Sequence, residues 1–366
     1  MGVTVIKLGS TLVADERGDL REAVLDEICR QVADLCSTGT PVSLVTSGAI
    51  ARGMRMLGMP VRPTSMEELQ AASAVGQGPL YGVYAELLAK HGVRSAQVLL
   101  TFFDVSARMQ YLNARQTLNK LLEWKIVPVI NENDTTATDE ISFGDNDILA
   151  AQVAILMSAD LLVVLSDVDA LYTKDPIRHS DAERVDEVSD PAELQQYDIG
   201  MSASHLGSGG MRSKVLAAEM ATSAGIPVVI CNGTVPGRLA RAVAGEREGT
   251  RFHAQARRQS SFKLWLKYAK PSSGTVLVDK GAERALRDQG TSLLPVGVVG
   301  VEGDFKPGDA VDIAAAGDGR RAIGKGITSY SAAELRRVMG LKSSEVRELL
   351  PRATAEAVHR DYFVLD

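Results

Sequence analysis

Short apolar runs rich in β-branched residues punctuate the first two thirds of the chain: VTVIKL (3–8), VSLVT (42–46), AQVLLT (96–101), IVPVI (126–130), LLVVLS (161–166) and IPVVIC (226–231). They are continuous rather than alternating, the pattern of strands covered on both faces of a sheet. Between them, apolar positions recur at helical spacing. LREAVLDEICRQVADLC (20–36) sets Leu25, Ile28, Cys29, Val32 and Cys36 on one stripe, closed by Gly39 and Pro41. Residues 67–92, 113–124, 147–159 and 211–225 carry further helical patterns. Strand–helix alternation of this kind predicts an α/β domain, a three-layer sandwich around a mainly parallel sheet. Such sheets bind ligands beyond the C-terminal ends of their strands. The loops at those ends are GST (9–11), SGAIARG (47–53), NEND (131–134) and SDVDALYT (166–173).

The pattern breaks near 245–262, where GEREGTRFHAQARRQSS is charged and without amphipathic period. The expected organisation is an α/β domain at 1–250, a linker at 251–270, a small α+β or β-barrel-like domain at 271–350 with two short helices, and a tail at 351–366. Residues 1–261 carry net charge −8 and residues 262–366 net +2, so RNA is not an expected partner. No stretch approaches the ~20 uncharged apolar residues that span a bilayer. The start, MGVTVIKLGS, lacks the features of a signal peptide. A cytoplasmic protein without membrane contact is expected. Three cysteines without CxxC and five scattered histidines indicate neither a disulfide framework nor a metal site.

Two segments change the picture. NENDTTATDEISFGDND (131–147) crowds Asp134, Asp139, Glu140, Asp145 and Asp147 among asparagines, and GSGGMRSK (207–214) leads into a helical stretch. Each alone reads as a turn. The second is not a Walker A loop, because Ser213 stands where that motif needs glycine before the lysine. Together they suit a cationic small molecule and a polyphosphate, the two ligands of a kinase. Lys7, near the end of the first strand, and Lys214, closing the Gly-rich loop, would neutralise phosphate, and Asp147 at a helix start could hold both ammonium groups. No general base is evident. A carboxylate acceptor, ionised at pH 7 with a pKa near ~4.3, needs none.

KLGST (7–11), TSGAIARG (46–53), NARQTL (113–118), VPVINENDT (127–135), FGDND (143–147), LSDVDALYTKDP (165–176) and GSGGMRSK resemble, in order, the motifs of the glutamate 5-kinases of the amino acid kinase superfamily. SLLPVGVVGVEGDFKPGD (292–309) and AVHRDYFVLD (357–366) are similar to the C-terminal PUA domain of bacterial members. The resemblance covers essentially the whole chain. It implies ATP-dependent phosphorylation of the γ-carboxylate of L-glutamate, in proline biosynthesis, with Mg²⁺. It implies Lys7, Lys214 and Asp147 as catalytic residues, and Ser47, Gly48, Asp134 and Asn146 as glutamate-binding. Lys7, Ser166, Asp167, Ser208, Gly209, Gly210, Met211, Arg212, Ser213 and Lys214 would bind ATP. Asp104, within the segment 99–118, would tune inhibition by proline. A glutamyl phosphate reductase as partner and a homo-oligomer are further expectations. The chain departs from the family at Asp169-Ala170 and at Arg212, both on the nucleotide rim. Two other readings stay open here: a superfamily kinase for aspartate, N-acetylglutamate, carbamate or a nucleoside monophosphate, and an RNA-binding protein acting through the PUA-like domain.

Overall fold

The computed structural model describes residues 2–15, 17–101, 104, 108–136, 146–190, 193, 194, 197, 210–256, 261–268, 270, 272–317, 322–350 and 354–365. The chain forms two compact units, Met1–Ser261 and Phe262–Asp366. Described strands of the first unit are β1 (Thr4–Leu8), β2 (Val42–Val45), β3 (Arg94–Leu100), β4 (Ile126–Glu132), β5 (Leu161–Ser166), β6 (Leu171–Tyr172), β7 (Arg184–Val185), β8 (Glu187–Val188), β9 (Val228–Asn232) and β10 (Thr250–Phe252). The helices are α1 (Ser10–Val13), α2 (Glu22–Ser37), α3 (Ala49–Leu57), α4 (Met66–Lys90), α5 (Arg108–Glu123), α6 (Asn146–Met157), α7 (Met211–Ser223) and α8 (Arg238–Val243).

Eight strands form one sheet in the order β3-β4-β2-β1-β5-β9-β10-β8. Every neighbouring pair is parallel except β9–β10. From β1 the chain steps to β2, crosses to the edge at β3, fills the gap between them with β4, then returns to add β5 and β9 on the other side of β1. The crevice beyond the carboxyl ends of β1, β2 and β5 is thus a topological switch point. Alternation along β1 divides the two layers. Ile6 and Leu8 join a core with Leu25, Ile28 and Val32 of α2 and Leu80, Tyr84 and Leu88 of α4. Lys7, of opposite parity, reaches Asp147 in the buried helix α6. Burying each such apolar side chain stabilises the fold by about 1.5–3 kcal/mol, so the layers hold without cross-links. Cys29 and Cys231 are part of this core, and burial pushes both thiols up to about 12.

The second unit holds α9 (Ser261–Tyr268, whose first residue closes the first unit), β11 (Ser272–Val278), α10 (Lys280–Gln289), β12 (Val298–Gly303), β13 (Ala310–Ala315), β14 (Ala322–Thr328), α11 (Ala332–Val338), α12 (Ser343–Leu349) and β15 (Val358–Leu365). Its sheet runs β12-β11-β13-β14-β15, and a bridge from Leu293 to Val358 ties the approach to β12 to the start of β15, linking the two edges at one end.

Several expectations need correction. AQVLLT is not covered on both faces: β3 is an edge strand with alternating exposed residues, so its apolar run misleads. SGAIARG is mostly helix, because Gly48 turns the chain at φ 99° and α3 begins at Ala49. Within 251–270, expected as a linker, the described residues include the end of β10 and all of α9. Thr250 and Phe252 are buried around half-exposed Arg251, an alternation too short to register in the sequence, and Leu264 and Leu266 of α9 are both buried. The tail at 351–366 contains β15, whose central Arg360 and Asp361 are exposed while Phe363 and Val364 are buried. The two short helices expected there are α10 and α11, and α12 follows them at Ser343–Leu349. No described helix is long and apolar enough to cross a membrane.

Helices α3 and α4 cross with their backbones almost touching. A Cβ at Gly53 would lie 1.7 Å from the carbonyl oxygen of Ala72, and one at Gly76 would lie 2.0 Å from that of Ala49. No rotamer relieves a clash with backbone. Gly76→Ala is therefore expected to destabilise the protein by at least the ~1–3 kcal/mol typical of overpacking. Gly82→Ala, on the same helix with nothing within 4 Å, should stabilise by about 0.5–1 kcal/mol through helix propensity. Denaturant melts of the two variants check this pair of opposite signs, and equal shifts would refute the crossing.

Candidate active site

The central feature is a buried carboxylate. Asp147, second residue of α6, is fully buried, and two nearly buried lysines converge on it from different elements. Lys7 Nζ lies 2.5 Å from Asp147 Oδ1 and Lys214 Nζ lies 3.2 Å from Oδ2, with side-chain exposures of 4% and 7%. Ser213 Oγ stands 2.8 Å from the same Oδ2 and 3.0 Å from the Gly210 carbonyl oxygen. Burial alone would raise the Asp147 pKa; the charges of Lys7 and Lys214 and the hydrogen bonds from Lys7 and Ser213 outweigh it and hold the group below the usual carboxylate range. The three charges sum to +1 in a buried site. Such a site attracts an anion.

Beside it lies a cleft of about 400 Å³, mouth included, walled by Ser10, Ser47, Gly48, Arg62, Asn131, Asp134 and Asn146 together with Ala49, Ile50 and Ala51. Asn146 Nδ2 donates to the Thr46 carbonyl (2.5 Å) and to Asn131 Oδ1 (2.6 Å), and Asn131 Nδ2 donates to Gln77 Oε1. This chain of amides fixes the floor. Ser47 Oγ and Asn146 Oδ1 are buried and have no hydrogen-bond partner among the described residues. Orphaned polar atoms in a cleft wall are expected of a site completed by a ligand. Ser73 Oγ donates to Asp134 Oδ2. Burial raises the Asp134 pKa, against that hydrogen bond and the charge of Arg62.

Of the residues expected from the sequence, Lys7, Asp147 and Lys214 meet directly, and Ser47, Gly48, Asp134 and Asn146 share the cleft wall. Ser166 ends β5, and its Oγ bonds Asp167 Oδ1 at 3.1 Å; Asn232 at the end of β9 donates to the Asp167 carbonyl. Gly210 caps α7, whose first turn carries Met211, Arg212, Ser213 and Lys214. Ser208 and Gly209 lie outside the described residues. Asp104 is engaged locally, accepting from Thr101 N at 2.7 Å and Thr101 Oγ1 at 2.6 Å, and is not in the described cleft wall. Sequence reasoning misses Ser10, Arg62, Ser73, Gln77 and Asn131 as site residues. Ser10 and Asn131 stand inside quoted motifs and could have been found there. Arg62, Ser73 and Gln77 lie between motifs and give no signal of function.

The amino acid kinase family model matches residues 2–232, and the PUA domain model matches residues 274–350. Glutamate 5-kinase of Meiothermus ruber is 46% identical over 364 residues, spanning 99% of this chain and 95% of its own length. Glutamate 5-kinase of Carboxydothermus hydrogenoformans is 44% identical, with 99% and 96% covered, and that of Thermus thermophilus is 46% identical, with 99% and 96% covered. At this identity over nearly its whole length, the chain belongs to the amino acid kinase family, among the glutamate 5-kinases that carry a C-terminal PUA domain.

Proposed function

We propose that this protein transfers the γ-phosphoryl group of ATP to the γ-carboxylate of L-glutamate, forming γ-glutamyl 5-phosphate, the first step of proline biosynthesis. The carrying observation is the buried Lys7–Asp147–Lys214 arrangement at the switch point, next to a cleft with orphaned polar atoms. A γ-carboxylate oxygen attacks the γ-phosphorus in line, a P–O bond to the β-phosphate breaks, and ADP leaves with the electron pair. The acceptor is already an anion, so no proton need be removed. Lys7 and Lys214 offset the charge on the transferring group, and Asp147 keeps both ammoniums aimed. Ser47 with the Gly48 amide, Asp134 and Asn146 hold glutamate, while Ser166, Asp167 and the first turn of α7 face the nucleotide. Asp147 is committed to the lysines. Mg²⁺ would therefore ride on the nucleotide phosphates, where it keeps waters and neutralises charge.

Proline shares the α-carboxylate and cationic amine of glutamate but lacks a γ-carboxylate, so it would occupy the cleft without accepting phosphate; Asp104 tunes that competition. The acyl phosphate product is labile in water, which favours rapid transfer to a reductase. All residues assigned to chemistry fall in the first unit. A chain cut after Ser261 is thus expected to fold and to form glutamyl hydroxamate when hydroxylamine traps the product. A folded but inactive fragment would refute that assignment.

Lys7→Ala and Lys214→Ala should each lower kcat by ~10²–10³, the usual loss for one electrostatic stabiliser. A coupled ATPase assay with saturating glutamate measures this, and near-normal turnover by a folded variant would remove that lysine from the mechanism.

Asp134 gives a pH prediction with a definite sign. Its pKa is raised in the empty protein, so it stabilises the fold fully below its unfolded value near ~3.9 and loses that contribution as pH rises through the folded value. Asp134→Asn should raise the Tm of the ligand-free protein at neutral pH, with the gain fading towards acid. The same variant should raise the KM for glutamate and leave that for ATP unchanged. A lower Tm at neutral pH, or a shift confined to ATP, would show that the carboxylate is placed differently.

A further inference from the structure

Arg62 stands on the connection between α3 and α4, residues 58–65, which has neither helix nor strand. Pro60 and Pro63 lie on either side of it. Proline fixes its own φ and drives the preceding residue, here Met59 and Arg62, toward extended backbone. The connection is a stiff strap, and it carries Arg62 into the wall of the cleft that also contains Ser47, Gly48, Asn131, Asp134 and Asn146. One wall therefore presents a guanidinium and a carboxylate together. Burial lowers the pKa of Arg62 and raises that of Asp134, and in each case the charge of the other residue opposes the shift. The Ser73 hydroxyl occupies Oδ2 of Asp134, leaving its other oxygen for a ligand.

A free α-amino acid carries an ammonium and a carboxylate on one carbon, the mirror of this cation–anion pair. We propose that Arg62 and Asp134 read the two charges of the α-carbon, Arg62 taking the α-carboxylate and Asp134 the α-ammonium, so that each exchanges its neighbour in the empty cleft for a charge on the substrate. This rests on the glutamate reading above and adds to it the origin of regiochemistry. With the α-carboxylate held by a planar, bidentate guanidinium, the γ-carboxylate is the one left to face the lysines. N-acyl amino acids, whose α-nitrogen is neutral, would leave Asp134 buried and unanswered, and α-amides would give Arg62 no carboxylate.

The test uses the full-length chain and three acceptors at saturating MgATP: L-glutamate, L-isoglutamine, which has an α-carboxamide and an intact γ-carboxylate, and N-acetyl-L-glutamate. Hydroxylamine traps each acyl phosphate. Arg62→Leu is expected to raise the KM for glutamate by about 10–100-fold, the range for a lost charge-assisted hydrogen bond, with kcat and the KM for ATP little changed. The preference for glutamate over isoglutamine should collapse by the same factor, whereas discrimination against N-acetylglutamate should persist. Arg62→Lys should keep part of the preference, and Arg62→Gln, which keeps polarity without charge, should lose it. Arg62 is half-buried and faces the charge of Asp134, so Arg62→Leu and Arg62→Gln should lower the Tm at neutral pH, where the Asp134 carboxylate loses a counter-charge, while the circular dichroism spectra of all three variants should match the parent. A rise in KM that is equal for glutamate and isoglutamine, or a preference that survives Arg62→Leu, would overturn the assignment. If the parent protein makes no glutamyl hydroxamate, the functional reading falls and this one with it. If it does and the preference survives, this one alone falls.

Discussion

An anion sealed under a parallel sheet is the constraint around which this molecule is arranged. Asp147 is fully buried near the start of a helix that is otherwise mostly apolar, and a lone carboxylate there would protonate rather than stay charged. It remains an anion because β1 supplies Lys7, α7 supplies Lys214, and Ser213 adds a hydrogen bond. Removing one member of such a buried set costs about 3–5 kcal/mol, because the survivors are left without partners. The set therefore locks a central strand to two helices that are far apart in sequence. It also leaves one uncompensated positive charge at the sheet edge, which is the property phosphoryl transfer needs. Structural and chemical demands are met by the same three side chains.

The cleft beside it is built on the opposite principle. Asp134 is buried with its pKa raised, and Ser47 Oγ and Asn146 Oδ1 lack partners among the described residues. Each of these weakens the empty protein. Groups of this kind persist where a ligand completes them, so the least satisfied polar atoms mark the place where binding energy is recovered.

Much of this is legible in the sequence, for identifiable reasons. β1, β2, β4, β5 and β9 are covered on both faces, and their unbroken β-branched runs say so. Edge strand β3 has a similar run for a different reason, β10 is too short to show a period, and β15 hides behind an Arg-Asp pair that faces solvent. Helix α3 reads as a loop because its start depends on Gly48 adopting a left-handed backbone, which spacing alone does not reveal. In the site, Lys7, Asp147 and Lys214 are readable because a buried charge must bring its partners with it. Arg62 and Ser73 are not, since an arginine between prolines and a serine in a helix are common on any surface. Only the crossing of α3 and α4 brings them to Asp134.

That crossing has a consequence for acceptor range. Ala49 and Ser73 belong to helices held backbone to backbone at Gly53 and Gly76, so this side of the cleft cannot recede when a side chain is trimmed. Room for a longer or branched acceptor is not available there. Remodelling for a new substrate would have to act through the proline strap or the end of β4, the two walls whose shape is set by side chains rather than by touching main chains. A library at positions 59–64 and 131–134 can change the shape of the cleft without touching that contact, whereas one spread over the α3–α4 crossing would mostly collect destabilised protein.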